Sequence, residues 1–152
     1  MLYLVFDLDQ TLYQHPNFEY EKLKKNNYLN FLLSMISYDK IIFTNANDNH
    51  AKKCITSMDI SLYFKDCITR DTIQDFKPYR SAFDKFIKHT KIKYDDRVIF
   101  FEDTLENLQT AKYYGWATIF IGNKYNNKYP YVDMSFDNVE DSLEYIIGRG
   151  NK

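Results

Sequence analysis

The chain of 152 residues has little of what punctuates or crosslinks a fold: four Gly, three Pro, two Cys and one Trp. So few Gly and Pro argue against a collagenous, low-complexity or disordered chain. The two cysteines, Cys54 and Cys67, have neither the density of a disulfide scaffold nor metal-ligand spacing. Both sit among apolar residues and are expected as core thiols of a reducing compartment. The net charge is −1, so no global field recruits nucleic acid or an acidic membrane. Long hydrophobic runs are also missing. The apolar run Leu2–Phe6 is broken by Asp7 and has no basic segment ahead of it, so neither a signal peptide nor a membrane span is expected. A cytoplasmic chain forming one domain over 1–152, large enough for a normal core, is the expectation.

What the chain does have is apolar runs of strand length: Leu2–Phe6, Lys40–Phe43, Cys67–Thr69, Arg97–Phe101 and Ala117–Ile121. Helical spacing separates them, over Tyr20–Ser37, Asn49–Met58, Tyr79–His89, Thr104–Tyr114 and Val139–Ile147. Gly115 stands where the fourth helix should end, and Asp137 or Asn138 where the last should begin. Buried strands alternating with helices predict an α/β fold with a three-layer, Rossmann-like parallel sheet. Aromatics make up 18% of the residues, which beside abundant Asn, Lys and Ile reads as AT-rich coding rather than a functional signal. The loop 123–131, rich in Asn, Lys and Tyr, is a surface loop that has the means to touch a ligand.

Chemistry concentrates at strand ends. Asp7 and Asp9, two apart on an extended chain, project to one side from the end of the first strand, with Thr11 just beyond. Ligands of open α/β sheets bind at that edge. Paired carboxylates there repel each other unless a cation or a shared proton relieves them; the alternative is an Asp-rich turn that merely stops the strand. The second strand runs into Thr44 and Asn45, a hydroxyl and an amide able to donate to phosphate oxygens ahead of a helix N-terminus. Lys77, before Pro78, offers a cation for a phosphate and its surrounding acids. The fourth strand ends in Glu102 and Asp103, which with Asp7 and Asp9 make an oxygen-rich site suited to Mg²⁺. Capping of the next helix by Asp103 or Thr104 is compatible with that role.

Asp7-Leu8-Asp9-Gln10-Thr11, Thr44, Lys77 and Glu102-Asp103, in this order at strand ends, resemble the four motifs of the haloacid dehalogenase superfamily. A two-component receiver domain uses similar residue types, but its paired acids precede the phosphorylated Asp. Within the superfamily, FDLDQTLY, FTNANDNHAKKCI, the FKP segment and FFEDTLENLQTAKYYGWAT are most similar to the pyrimidine 5′-nucleotidase-like branch. His50 belongs to that branch-specific stretch, either near substrate or as an ordinary residue of a first helical turn. The resemblance implies sheet order 3-2-1-4-5 and hydrolysis of a phosphate monoester. Asp7 would be the nucleophile that forms an aspartyl-phosphate, and Asp9 the general acid and base, its pKa raised by a neighbouring carboxylate. Mg²⁺ would be held by Asp7, the Asp9 backbone carbonyl and Asp103, with Glu102 acting through water. Thr44, Asn45 and Lys77 would bind the phosphoryl group and Thr11 would support the loop.

The family's helical cap is the visible departure. Residues 10–43 separate Asp9 from Thr44 and residues 78–101 separate Lys77 from Glu102, room for only a reduced cap or flap over 12–39 and an open site. The expected partner is a phosphorylated small molecule or an exposed macromolecular phosphate such as a nucleic-acid end or phosphoprotein. Nucleic acid gains no support from net charge. Lys22, Lys24 and Lys25 read as a solvated helix face before a nucleic-acid patch. A partner subunit closing the site, and a non-catalytic binding module on the same fold, are the remaining alternatives.

Overall fold

The computed structural model describes residues 1–15 and 20–150. β1 (Leu2–Phe6), β2 (Asp39–Phe43), β3 (Asp66–Ile68), β4 (Arg97–Glu102), β5 (Ala117–Ile121) and β6 (Met134–Phe136) form one parallel sheet in the order β3-β2-β1-β4-β5-β6. The five expected strands lie where their apolar runs place them. The sixth, β6, was not expected, because three half-buried residues on an edge strand carry no hydrophobic run to read.

Alternation along the strands explains the three layers. Leu4 and Phe6 face one side of the sheet and Tyr3 and Val5 the other, so each strand feeds two cores. One core packs against α1 (Asn27–Ser34), α2 (Asp48–Met58) and α6 (Val139–Gly150). The other packs against α3 (Arg70–Ile73), α4 (Arg80–Thr90) and α5 (Leu105–Tyr113). The aromatic excess is used here: Phe43 stacks on Phe86 at 4.3 Å, and Phe83, Phe100 and Trp116 meet edge-on or tilted around them. Cys54 is a core thiol as expected, whereas Cys67 is only partly buried.

Local chemistry corrects several boundaries. The helix expected over Tyr20–Ser37 is two elements, a single 3₁₀ turn at Tyr20–Lys22 and α1. Asn26 sets the later start, since its side chain accepts from Leu29 N–H and caps the helix there. Residues 16–19 of the expected 12–39 flap lie outside the described residues. Lys22, Lys24 and Lys25 are exposed, with Lys25 beside Asp59. The short α3 was not expected; Thr69 and Thr72 cap it reciprocally. Gly115 ends α5 as expected, at φ +77°. The Gly115 and Trp116 N–H groups close back onto Lys112 and Ala111. Asn138, rather than Asp137, caps α6 through Asp141 N–H. Among the described residues no helix is long and apolar enough to cross a membrane.

Candidate active site

Strand register brings the chemistry together. Phe6 pairs with Ile42 and Phe101, so Asp7, Thr44 and Glu102 all emerge at the same edge. Asp7 N–H still donates to Phe101 C=O at 2.9 Å, holding its side chain just past the ladder. The chain then turns sharply, with Gln10 in the left-handed region and the Thr11 and Leu12 N–H groups both on Leu8 C=O. This returns the Thr11 hydroxyl to Asp7 Oδ2 at 3.1 Å and Asp103 Oδ1 at 3.3 Å. One hydroxyl hydrogen serves one carboxylate at a time. Thr11 thus supports the loop by spanning the first and fourth strand ends.

Lys77 is the electrostatic centre. Its ammonium is 1% exposed and donates to Asp7 Oδ1 at 3.0 Å, Glu102 Oε1 at 2.9 Å and Phe43 C=O at 2.6 Å. Burial alone would depress its pKa, but the Asp7 and Glu102 charges outweigh that and raise it. Burial likewise favours neutral Asp7, yet Lys77 and the hydrogen bonds around the carboxylate hold its pKa below the usual range. Lys77 reaches this point because Asn45 grips its backbone: Asn45 Nδ2 donates to Lys77 C=O at 3.0 Å, and Lys77 N–H donates to Asn45 Oδ1 at 2.8 Å. The Asn45 amide thus places Lys77 with its oxygen and one N–H, and its second N–H is left for the phosphate oxygens it is expected to meet. The Lys77-Pro78 peptide is cis. Thr44 is buried; its hydroxyl accepts from Ala46 N–H at 3.0 Å, and the hydroxyl hydrogen meets no acceptor among the described residues.

Glu102 is fully buried and heavily used. Oε1 accepts from Lys77 and from Asn107 Nδ2 at 2.7 Å, and Oε2 from the Asp103 and Thr104 N–H groups at 2.8 and 3.2 Å. Thr104, expected among the caps of α5, makes no side-chain cap bond. Asn107 was missed in the sequence, where it reads as one polar residue on an amphipathic helix; only its buried position beside Leu108 and Ala111 distinguishes it.

Asp7, Glu102 and Asp103 offer carboxylate oxygens within 4.8 Å of one another. Burial, then the charges and hydrogen bonds of Glu102 and Asp7, push the Asp103 acid up to about 10. Ionised together, the three acids would outnumber the one ammonium, and with Glu102 occupied by Lys77 and Asn107, Asp7 and Asp103 are the oxygens best placed for a cation. An all-oxygen set with one or two direct carboxylates fits a hard divalent ion.

Asp9 has two neighbours that the sequence did not point to. It meets the Tyr13 hydroxyl, which donates to Oδ1 in a short hydrogen bond, and His50 Nε2, 2.8 Å from the same oxygen. The His50 ring therefore points to Asp9, and Cys54 Sγ lies 3.5 Å from its Nε2. Tyr13 was passed over in the sequence, although its place four residues beyond Asp9 was a usable signal once the chain turned. Burial and then the Asp9 charge push Cys54 up to about 11, and burial with neighbouring acids pushes Cys67 to about 12. Neither thiol is a nucleophile at neutral pH. Phe120 and Gly122 line a cavity of about 480 Å³ that reaches Asp103, with Gln10, Gln14, His15 and Asn126.

Comparison with known proteins agrees with this fold. The L-2-haloacid dehalogenase from Xanthobacter autotrophicus superposes with TM-score 0.69 at 13% identity, over 85% of this chain and 63% of that one. The magnesium-bound HAD-hydrolase YfnB from Bacillus subtilis gives TM-score 0.66 at 16% identity, over 80% of this chain and 55% of the other. The chain thus spans less than two thirds of the length of these two relatives. A HAD phosphatase from Thermococcus onnurineus is similar over nearly its whole length, with TM-score 0.69 at 16% identity, covering 96% of this chain and 98% of that one. No curated protein matches the sequence. The model of haloacid dehalogenase-like hydrolases matches residues 20–115, which hold Thr44, Lys77, Glu102 and Asp103, while Asp7, outside that span, meets Lys77 from the end of β1. With well over half of the sequence matched and the shared α/β sheet behind it, this chain belongs to the haloacid dehalogenase-like hydrolases.

Proposed function

We propose that the chain hydrolyses a phosphate monoester by way of an aspartyl-phosphate on Asp7. The observation that carries this reading is Asp9, a second acid next to the nucleophile that stands outside the Lys77 ion-pair network. A departing halide needs no proton, whereas a departing alkoxide does, so an acid at this position serves an ester and is idle in dehalogenation. The structural relatives include both chemistries, and Asp9 favours the first.

In the first half-reaction an Asp7 carboxylate oxygen bonds to phosphorus as the ester P–O bond breaks. The bonding pair goes to the leaving oxygen, which takes the proton of Asp9. In the second, water bonds to phosphorus and gives its proton to Asp9, while the P–O bond to Asp7 breaks and releases inorganic phosphate. Lys77 and the Thr44 hydroxyl supply positive potential for the phosphoryl oxygens, and Asn45 holds Lys77 in place. Asp7, Asp103 and the Asp9 backbone carbonyl would hold Mg²⁺, with Glu102 acting through water, and the ion would supply positive charge for the phosphoryl group.

Between β1 and β2 the described residues form only a 3₁₀ turn and the eight-residue α1. That economy supports an open site and a substrate whose phosphate projects from a larger body, as an alternative to a nucleoside monophosphate. A Mg²⁺-dependent phosphate-release screen over nucleotides, end-phosphorylated oligonucleotides, phosphopeptides and sugar phosphates tests the reading. Asp7→Asn should abolish release in a folded protein. Ordinary turnover by that variant, or halide release from a 2-haloacid with no phosphate release, would overturn it. A folded chain that neither turns over nor binds a Mg²⁺–fluoroberyllate mimic would be a binding module.

A further inference from the structure

We propose that His50 and Tyr13 are positioning residues for Asp9, fixing its Oδ1 so that Oδ2 alone faces the leaving-group oxygen. The inference rests on the phosphatase reading above and adds to it an orientation of the acid that the linear motif does not contain. Both contacts fall on one oxygen: Tyr13 OH donates to Oδ1, and His50 Nε2 lies 2.8 Å from it. Oδ2 takes no hydrogen bond among the described residues. With His50 in the tautomer that carries its hydrogen on Nε2, Oδ1 accepts from two donors and is held as the carbonyl-type oxygen in the acid form. The transferable proton then resides on Oδ2.

The two donors are themselves anchored. His50 is the third residue of α2, and its backbone N–H donates to the capping side chain of Asn47 at 2.8 Å, which sets the first turn. Its ring is about three-quarters buried, and the Asp9 side chain is 30% exposed. Tyr13 packs its ring against the core formed with α1, α2 and α6 and presents only its hydroxyl to Asp9. The carboxylate is thus clamped between two elements, the β1 loop and α2, that meet only in the folded chain. Asp9 would otherwise rotate freely about its side-chain bonds at a partly exposed loop, and a misdirected acid loses much of its effect.

Asp9, His50 and Cys54 also fall within 4.8 Å of one another, a set resembling a transition-metal site. The separations favour a hydrogen bond. Nitrogen and oxygen on one tetrahedral zinc stand about 3.3 Å apart at ordinary bond lengths, whereas His50 Nε2 and Asp9 Oδ1 are 2.8 Å apart.

The test compares leaving groups in the full chain with Mg²⁺. p-Nitrophenyl phosphate releases an anion stable enough to depart without a proton, while an alkyl phosphate does not. His50→Ala and Tyr13→Phe should each lower kcat/KM for the alkyl ester by about 10- to 100-fold, a share of what a general acid contributes. On the nitrophenyl ester the loss should stay below about threefold. His50→Gln, which keeps an N–H donor, should recover part of the alkyl-ester rate. Tyr13→Phe removes a single oxygen and carries the same prediction should His50→Ala fold poorly. Asp9→Asn is the reference. If it shows the leaving-group-dependent loss and the His50 and Tyr13 variants lose both esters equally or neither, the positioning role is overturned while the phosphatase reading stands. If Asp9→Asn shows no such dependence, the assignment of Asp9 as the acid fails, and the inference with it.

Discussion

Lys77→Met is the perturbation whose outcome the structure determines most directly. Methionine keeps most of the stem volume, so the variant leaves little cavity and removes one charge. That charge is 1% exposed, lies 3.0 and 2.9 Å from two carboxylates, and sits 5.0 and 5.4 Å from the ring centroids of Phe43 and Phe100. Removing one partner of a buried ion pair leaves the other uncompensated and costs about 3–5 kcal/mol. At a urea slope of about 2 kcal/mol per molar, the midpoint should fall by about 2 M. Urea unfolding in chelator, followed by circular dichroism, measures this. The pH dependence gives a second check. Burial and the Asp7 charge raise the Glu102 pKa against the opposing pull of Lys77, so in the variant Glu102 should hold its proton to still higher pH. A carboxyl with a raised folded pKa contributes stability below its unfolded pKa and loses it as pH rises through the folded one. The deficit of Lys77→Met should therefore be smaller at about pH 5 than at about pH 8. A loss under about 1 kcal/mol, or a deficit that grows on acidification, would refute the argument that this ammonium neutralises the site.

Asp103 and the cation should be linked in the same way. Burial first, and then Glu102 and Asp7, push its acid up to about 10, so metal-free protein should lose stability from this group as pH climbs from about 4 towards 10, and Asp103→Asn should flatten that profile. Mg²⁺ at one hundred times its dissociation constant should stabilise the wild type by about 2.7 kcal/mol and the variant by much less, as read by thermal unfolding; equal stabilisation of both would exclude Asp103 as a ligand. Asn45→Ala removes both bonds to the Lys77 backbone and should cost about 1–3 kcal/mol and lower kcat; unchanged stability and turnover would show that the clasp does not set Lys77.

Much of the sheet was legible because its signal is local. Leu2–Phe6 and Ala117–Ile121 are apolar runs of strand length, and their observed ends match the runs. Elements whose signal is weak or shared were read less well. β6 is too short to show alternation, α3 depends on a threonine pair, and α1 begins late because Asn26 caps it inside what reads as a longer amphipathic stretch. At the site the residue types and their order were visible in the chain, while their partners were not. Asn45 reads in the chain as a phosphate donor, and the fold adds a second task, the clasp on the Lys77 backbone; the imidazole and phenol beside Asp9 come from positions that no strand or helix pattern links to it.

That division has a physical reason. Strand patterning and the acids that end the strands are written within a few residues of chain, so the sequence by itself determined an α/β hydrolase fold with its acids at one sheet edge. Which oxygen accepts from which donor depends on residues such as Asp7 and Lys77, 70 positions apart, or Asp9 and His50, 41 apart. Only the parallel register of β1 with β2 and β4, and the docking of α2 beside the β1 loop, bring those groups within hydrogen-bond distance. The tertiary structure therefore decided how the site is charged, and in which direction Asp9 points.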